Sequence, residues 1–413
     1  MVYSRGDSIA YQKSWTDGYS WTKDIGIGVG NYPCLAKDSK GGLCAAWLDG
    51  NIRYARKTSP WIPGFSLPVM NASAPAMTLG KGDTVFLAFI QYNWLPQDVG
   101  TLICLRFPSD KFDSAHVTVD TLYNASGSPT ITVDSKNSVH IAWRYNDDIY
   151  WTQRNANGTW KAAANISYSS GVVSQNPSLA YYGDVHLVWQ EGNDIYHNKG
   201  NWSLQLAVKA KIIVKQFSWQ GAENVSNNPG TASVNPVFDG NYVAWSEVMS
   251  SGDTEAYMSL YKDFVWQPAK NYSNNPTQPS AYPQIAYRQN VDGNKMTTVW
   301  TEGTGPLYSL IARDSAGAVT PKLAADVGGT EPSIYTIERD GYLVYGQTKS
   351  KTSVITVDYD STALEYYLPT LDREQKQTLK MSLYQEYADK ADHVYQVWVD
   401  QVSLGAVKVP SSW

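Results

Sequence analysis

The spacing W-x4-N-[IVY]-S-x9-P stands three times in this chain without a gap, and it limits the fold more than any other feature. Trp160 leads to Asn165-Ile166-Ser167 and Pro177, Trp219 to Asn224-Val225-Ser226 and Pro236, and Trp266 to Asn271-Tyr272-Ser273 and Pro283. A fixed spacing that returns roughly every 50 residues belongs to folds made of stacked units, each burying its apolar face against a neighbour.

The pattern extends beyond those copies. Pro33, Pro75, Pro129, Pro177, Pro236, Pro283 and Pro332 each precede an alternating apolar segment, a turn, and a short strand ending in an aromatic residue. Those aromatics are Trp47, Phe89, Trp143, Trp189, Trp245, Trp300 and Tyr345. Proline suits the first residue of a strand, where no ladder donor is needed, so the prolines are expected to open the innermost strands. A third strand follows at Ile52-Arg53-Tyr54, Ile149-Tyr150 and Ile195-Tyr196, and a fourth opens at Trp61, Trp160, Trp219 and Trp266.

Four antiparallel strands per unit, with an incomplete unit at each end, predict an all-β chain: a seven-bladed β-propeller of four-stranded blades over residues 1–364. Residues 7–11 match a third strand and Trp21 a fourth, so the first unit is expected to be completed by strands from the other end of the chain. Six or eight blades stay open, because 353–358 supplies a further strand. Residues 199–217 carry an insertion expected to form a hairpin, with Lys209, Lys211 and Lys215 alternating among apolar residues. From 365 to 413 the Pro and Trp markers disappear. That stretch is expected to be a small C-terminal β module, with a hairpin over 394–409 and with 382–387 fitting strand or helix equally.

Charged residues make up 17% of the chain and hydrophobic ones 43%, with 29 Tyr and 16 Trp, so the core is ample and much of the surface neutral. A net charge of −5 offers no basic field for nucleic acid or an anionic membrane. No apolar run reaches the roughly 20 residues that crossing a bilayer takes. Cys34, Cys44 and Cys104 are too few for a disulfide framework; for Cys34 and Cys44, on neighbouring strands, a bridge and two buried thiols both fit. The N-terminal residues carry no apolar leader. Sequons at Asn71, Asn124, Asn157, Asn165, Asn201, Asn224 and Asn271 suit an exported glycoprotein, which makes an extracellular or cell-surface location the expectation. Asn165, Asn224 and Asn271 belong to the repeat itself, where a structural role is the simpler reading.

Candidate chemistry follows from position. Directly after the second-strand aromatic, several units place a carboxylate in the next turn: Asp49, Asp147, Glu191, Glu247 and Glu302. In a propeller these turns emerge on one face, where a ring of acids binds Ca²⁺, accepts hydrogen bonds from sugar hydroxyls, or hides the carboxylate pair of a glycosidase. The competing reading is that acids favour turns and are simply solvated there. Trp94, Trp151 and Trp202 lie off the repeat positions, as sugar-stacking platforms or as loop packing. His140 and His186 share a repeat position three residues before Trp, which points to packing. The chain has no HExxH, GxSxG, phosphate loop or CxxC, so zinc, nucleophilic and nucleotide chemistry have no support.

The repeat, with its H-[IL]-[AV]-W and D-I-Y strands, resembles the sialidase-like (BNR-repeat) propellers common among exported bacterial and archaeal proteins, over roughly the first 360 residues. Remnants of that family's Asp-box, S-x-D-x-G-x-[ST]-W, stand at 14–21 and at 155–160. The resemblance implies the fold. The family's catalysis needs three arginines on the substrate carboxylate, a Tyr–Glu nucleophile and an Asp, but no R-I-P motif occurs here, and nothing in the spacing selects Arg53, Arg144 or Arg288. The expected function is a non-catalytic extracellular propeller that binds a glycan or protein partner, or a surface assembly component. A glycoside hydrolase or lyase of a sialidase-like propeller family is the alternative. Self-assembly through strand edges of the C-terminal module is a further expectation.

Overall fold

A computed structural model of the chain describes residues 1–13, 25–57, 61–63, 71–92, 99–207, 212–274, 278–288, 295–303 and 309–314, with short strands at 325–326, 343–345, 354–357, 380–381, 393–399 and 402–409. The chain divides into two compact units, 1–13 with 24–332 and 14–23 with 333–413.

In the first unit, antiparallel sheets follow one another in chain order. The first sheet contains Val2–Arg5, Ser8–Tyr11 and Ile25–Val29. The second contains Asn31–Lys37, Leu43–Leu48, Ile52–Lys57 and Trp61–Pro63. The third runs through Ala76–Gly80, Thr84–Gln91 and Gly100–Pro108 into the long strand Thr118–Val133. That strand pairs with the third sheet through Thr118 to Ala125, then with the fourth from Ser126 to Val133, so it is the last strand of one sheet and the first of the next. Val139–Tyr145, Asp148–Arg154 and Ala164–Asn165 complete the fourth sheet. The fifth contains Ser174–Tyr182, Asp184–Glu191, Asp194–Ala207 and Ile212–Asn224. The sixth contains Ala232–Asp239, Tyr242–Val248 and Thr254–Lys262, with Val265–Trp266 and Lys270–Asn271 pairing on the last. The seventh contains Ser280–Arg288, Lys295–Glu302, Ser309–Asp314 and Ala325–Asp326.

The expected insertion is an extension of the fifth sheet, whose third and fourth strands stay paired as far as Ala207 and Ile212. In the first sheet Asp7 O accepts the Gly30 N–H at 2.8 Å, as Asp147 O accepts that of Ser174 and Asn193 O that of Ser233. Asp7 thus stands in a second-to-third-strand turn, and the sheet holds strands two to four of the repeat.

Alternation along the second strands produces the packing between sheets. Trp47 joins Ile9 in one apolar cluster, while its neighbour Ala46 joins Met77 and Leu87 in the next. Trp143 packs with Phe86, Leu102 and Cys104 of the third sheet, and Ala142 with Leu179 and Trp189 of the fifth. Trp245 packs back on Val188 and Val225, and Ala244 forward on Met296. Successive side chains of a strand point to opposite faces, so an [AV]-W dipeptide sends an indole backward and offers a small socket forward. Burying about 150–250 Å² per indole at about 25 cal/mol/Å² is worth roughly 4–6 kcal/mol before entropy is counted.

The N-[IVY]-S motif fastens the fourth strand to the third. Ser167 Oγ accepts the Ile149 N–H at 3.0 Å and donates to Asp148 Oδ1 at 2.8 Å. Ser226 does the same with Ile195 N at 2.9 Å and Asp194 at 3.1 Å, and Ser273 with Ala256 N at 2.9 Å and Glu255. Asn165, Asn224 and Asn271 accept the backbone N–H three residues on, at 3.0, 2.8 and 2.7 Å, fixing the turn after the strand.

Pro75 stands directly before its strand Ala76–Gly80, as expected, whereas other inner-strand prolines depart from that position. Pro33, Pro177, Pro236 and Pro283 lie inside their strands, each at a register shift: between Asn31 and Cys34, Gln175 and Ser178, Val234 and Val237, and Ala281 and Gln284. A residue without an N–H is tolerated where a bulge already interrupts the ladder. The three cysteines are free thiols, with Cys34 Sγ directed at Ala46 O at 3.5 Å.

In the second unit, Leu343–Tyr345 pairs antiparallel with Val354–Val357, which runs parallel to Lys380–Met381. His393–Val399 and Val402–Val409 form an antiparallel hairpin. Residues 382–387 and Pro332 lie outside the described residues.

Candidate functional site

The turn after each second strand stands two residues beyond its indole, within reach of the indole N–H. Trp189 Nε1 donates to Glu191 Oε2 at 3.0 Å, Trp245 to Glu247 Oε2 at 2.6 Å and Trp300 to Glu302 Oε1 at 3.1 Å. Ser174 also donates to Glu191 at 3.2 Å. Glu247 is fully buried and further takes Ser233 Oγ at 2.6 Å, Asn228 at 3.1 Å and the Thr231 hydroxyl. These three acids satisfy the core's own donors. In the second and fourth sheets the indole instead uses the preceding sheet's backbone: Trp47 donates to Val29 O at 2.9 Å and Trp143 to Asn124 O at 3.0 Å.

The two remaining acids of the predicted ring, Asp49 half-buried and Asp147 exposed, lie beside arginines. Asp49 Oδ2 is 2.9 Å from Arg53 Nε, and Asp147 Oδ1 is 2.6 Å from Arg144 Nη2. Asp49 and Arg53 line a cavity of about 540 Å³ with Asp7, Asn31, Tyr32 and Asn51. Among the described residues no group of three His, Cys, Asp or Glu side chains is arranged to hold a metal ion.

The strand bulges lie at this same end, since Asn31 pairs with Leu48 and Ser174 with Glu191. The residue before Pro33, Pro177, Pro236 and Pro283 has left-handed backbone: Tyr32 at φ 55°, Asn176 at 52°, Asn235 at 54° and Tyr282 at 52°. Tyr32 and Tyr282 are each 63% exposed. Asn176 Nδ2 donates to Asn235 Oδ1 at 3.0 Å, joining the fifth and sixth sheets, and Tyr282 N donates to Ser246 Oγ at 2.9 Å. Asn accepts such a backbone readily, whereas Tyr holds it at a cost of order 1–3 kcal/mol.

Two of the expected sugar platforms are occupied from within. Trp151 is 5% exposed and packs on Phe217 and Trp219, with its N–H 3.3 Å from His140 Nδ1, so it offers no ring face to a sugar. Trp202 donates to Asp134 Oδ2 at 2.8 Å, and Lys136 Nζ lies 3.6 Å from its ring centre. Trp94 lies outside the described residues. Asn71, Asn124 and Asn157 are exposed, Asn201 half-buried; Asn157 Oδ1 accepts both the N–H and hydroxyl of its own sequon threonine, Thr159.

A side cleft of about 490 Å³ opens between the outer strands of the fifth and sixth sheets, lined by Asp184, Lys199, Asn201, Gln220, Glu223, Tyr261 and Phe264. Behind it His186 Nδ1 and His197 Nε2 are 2.9 Å apart, and His197 Nδ1 is 2.8 Å from Glu223 Oε1. Trp266 Nε1 donates to the same Glu223 oxygen at 3.0 Å. The His197 donor, acting against partial burial, holds the Glu223 carboxyl below the usual range. Burial pulls His186 down to about 3. Burial lowers His197 as well, and with both imidazoles neutral a row of hydrogen bonds from His186 through His197 to Glu223 fits these distances. Sequence reasoning assigned His186 to packing and did not single out Glu223 or Lys199, because their meeting depends on an outer-strand register that no local motif marks.

The sequence matches no protein-family model and no curated protein. Among solved structures it is similar to a protein of unknown function from Dyadobacter fermentans (12% identity, 76% of this chain and 96% of that one, TM-score 0.45). It is also similar to an α-L-arabinanase from Penicillium chrysogenum in complex with arabinobiose (11%, 68% and 92%, TM-score 0.43). A polysaccharide lyase, an ulvan lyase, is similar as well (9%, 77% and 85%, TM-score 0.47). The arabinanase and the lyase are β-propeller structures.

Proposed function

We propose that this chain is a non-catalytic, cell-surface or extracellular β-propeller of seven blades that binds a glycan at the end where the inner strands begin. One observation carries the reading: tyrosines kept exposed on strained backbone at that end, Tyr32 beside an open cavity and Tyr282 on the seventh sheet. A phenol ring stacks on the apolar face of a sugar while its hydroxyl stays wet. Asn31, Asn51, Asp49 and Arg53 supply the hydrogen-bonding groups that fix a sugar's orientation. Binding is preferred to catalysis because Glu191, Glu247 and Glu302 already serve as acceptors for core indoles, an arrangement that suits structure better than proton transfer.

A glycan array followed by calorimetry on the best ligand tests this. Tyr32→Ala is expected to weaken binding about tenfold, through one lost stacking contact, without lowering the melting temperature. Silence across the array, together with turnover of a chromogenic glycoside that Asp49→Asn abolishes, would replace binding by hydrolysis. The C-terminal module is tested by deleting 365–413. A protein that keeps its melting temperature but loses a higher-mass species supports a separate module acting in self-assembly, and an unchanged mass counts against that role.

A further inference from the structure

At the outer rim of the groove between the third and fourth sheets, three donors converge on one carboxylate oxygen. Asp120 Oδ2 takes the Trp160 indole N–H at 3.2 Å, while Arg106 Nε and Arg154 Nε stand 3.7 and 3.8 Å away. The last two separations are too long for hydrogen bonds. Both Nε atoms are buried and have no hydrogen-bond partner. Two guanidiniums therefore share one carboxylate, leaving a net positive charge and two buried Nε donors without a hydrogen-bond partner. Burial, and next the charge of Arg106, oppose the positive charge of Arg154.

The register explains the crowding. Cys104 pairs with Asp120 and Arg106 with Thr118, which brings Arg106 and Asp120 to the same face of the third sheet. Arg154 arrives from the fourth sheet, opposite Trp160. The 155–159 turn closes over it, so that a Cβ on Gly158 would lie 3.0 Å from Arg154 Nη2. The side chain of Arg154 is 11% exposed and that of Arg106 36%, so the cluster is anchored on one side and open on the other.

We propose that Arg106 and Arg154 bind a tetrahedral oxyanion, a sulfate or phosphate group, at this rim. Planar forks of N–H donors match the oxygens of such a group, and its charge offsets the excess that Asp120 leaves. The site does not depend on the glycan reading, because it lies on outer strands and uses none of the residues assigned to sugar.

Calorimetric titration of the whole chain with sodium sulfate, sodium phosphate and methyl sulfate, at constant ionic strength, tests it. Saturable binding at one site per chain is expected, weakened about tenfold or more in Arg106→Gln, whose half-exposed side chain can be changed without threatening the fold. Asp120→Asn removes the competing carboxylate and keeps an acceptor for Trp160, so it is expected to bind sulfate about tenfold more tightly. Methyl sulfate binding as well as sulfate marks a monoester as the natural group; sulfate binding alone marks the free ion. Heats that never saturate, or that are equal in the parent chain, Arg106→Gln and Asp120→Asn, overturn the proposal.

Discussion

Ser226 shows how much one hydroxyl does in this fold. It accepts from Ile195 N and donates to Asp194, linking the fourth strand to the third from a buried position. Ser226→Ala leaves the Ile195 amide without that acceptor, and about 1–3 kcal/mol of stability is expected to be lost in urea titration. Trp245 combines a core indole with a hydrogen bond to Glu247, so Trp245→Ala is expected to cost about 3–5 kcal/mol by the same measurement. The repeat spacing of Asn and Ser was plain in the sequence, and so was the burial of the second-strand indoles. The carboxylates of the predicted ring were not, because a turn acid that will bend back under an indole reads in sequence like one that stays in water: Glu247 and Asp147 look alike until the side chains are placed.

Single strands tell a similar story about what a pattern reveals. Alternation gave the inner and second strands, and Pro177, Pro236 and Pro283 marked where an inner strand runs, but not that each sits at a bulge. Bulges change register by one residue without changing composition, which is why a pattern of period two passes over them. At Tyr282 the bulge fixes a left-handed backbone under an exposed ring. Tyr282→Gly is expected to raise stability by up to about 1 kcal/mol, since glycine adopts that conformation freely, while lowering glycan affinity. A loss of stability in thermal unfolding would instead assign the ring a packing role. The long strands of the fifth sheet were legible as an insertion over 199–217, although their pairing across the sheet was not, and Lys209 and Lys211 lie outside the described residues.

For the molecule as a whole, histidine burial sets the acid limit. Burial lowers His140 against the pull of Asp134, lowers His197 against that of Glu223, and brings His186 down to about 3. Unfolded histidines bind protons below about 6.5 and the folded ones do not, so stability is fully present above that pH and is lost as the pH falls toward the folded values. Asp134 adds to this at lower pH: burial works against its charge, but donors from His140, Trp202 and Ser138 hold its carboxyl down at about 2. Urea midpoints measured from pH 7 to pH 4.5 are expected to fall steadily, with a shallower slope in His186→Phe, whose ring keeps the stack on Phe238. An unchanged slope in that variant would remove His186 from the account.

The strand Thr118–Val133 has a mechanical meaning. Because one uninterrupted stretch of backbone serves as the rim of one sheet and the innermost edge of the next, the two cannot be peeled apart at a loop. Under tension, or in slow amide exchange, residues 76 to 165 should yield in a single event, whereas sheets joined only by turns are free to release one at a time.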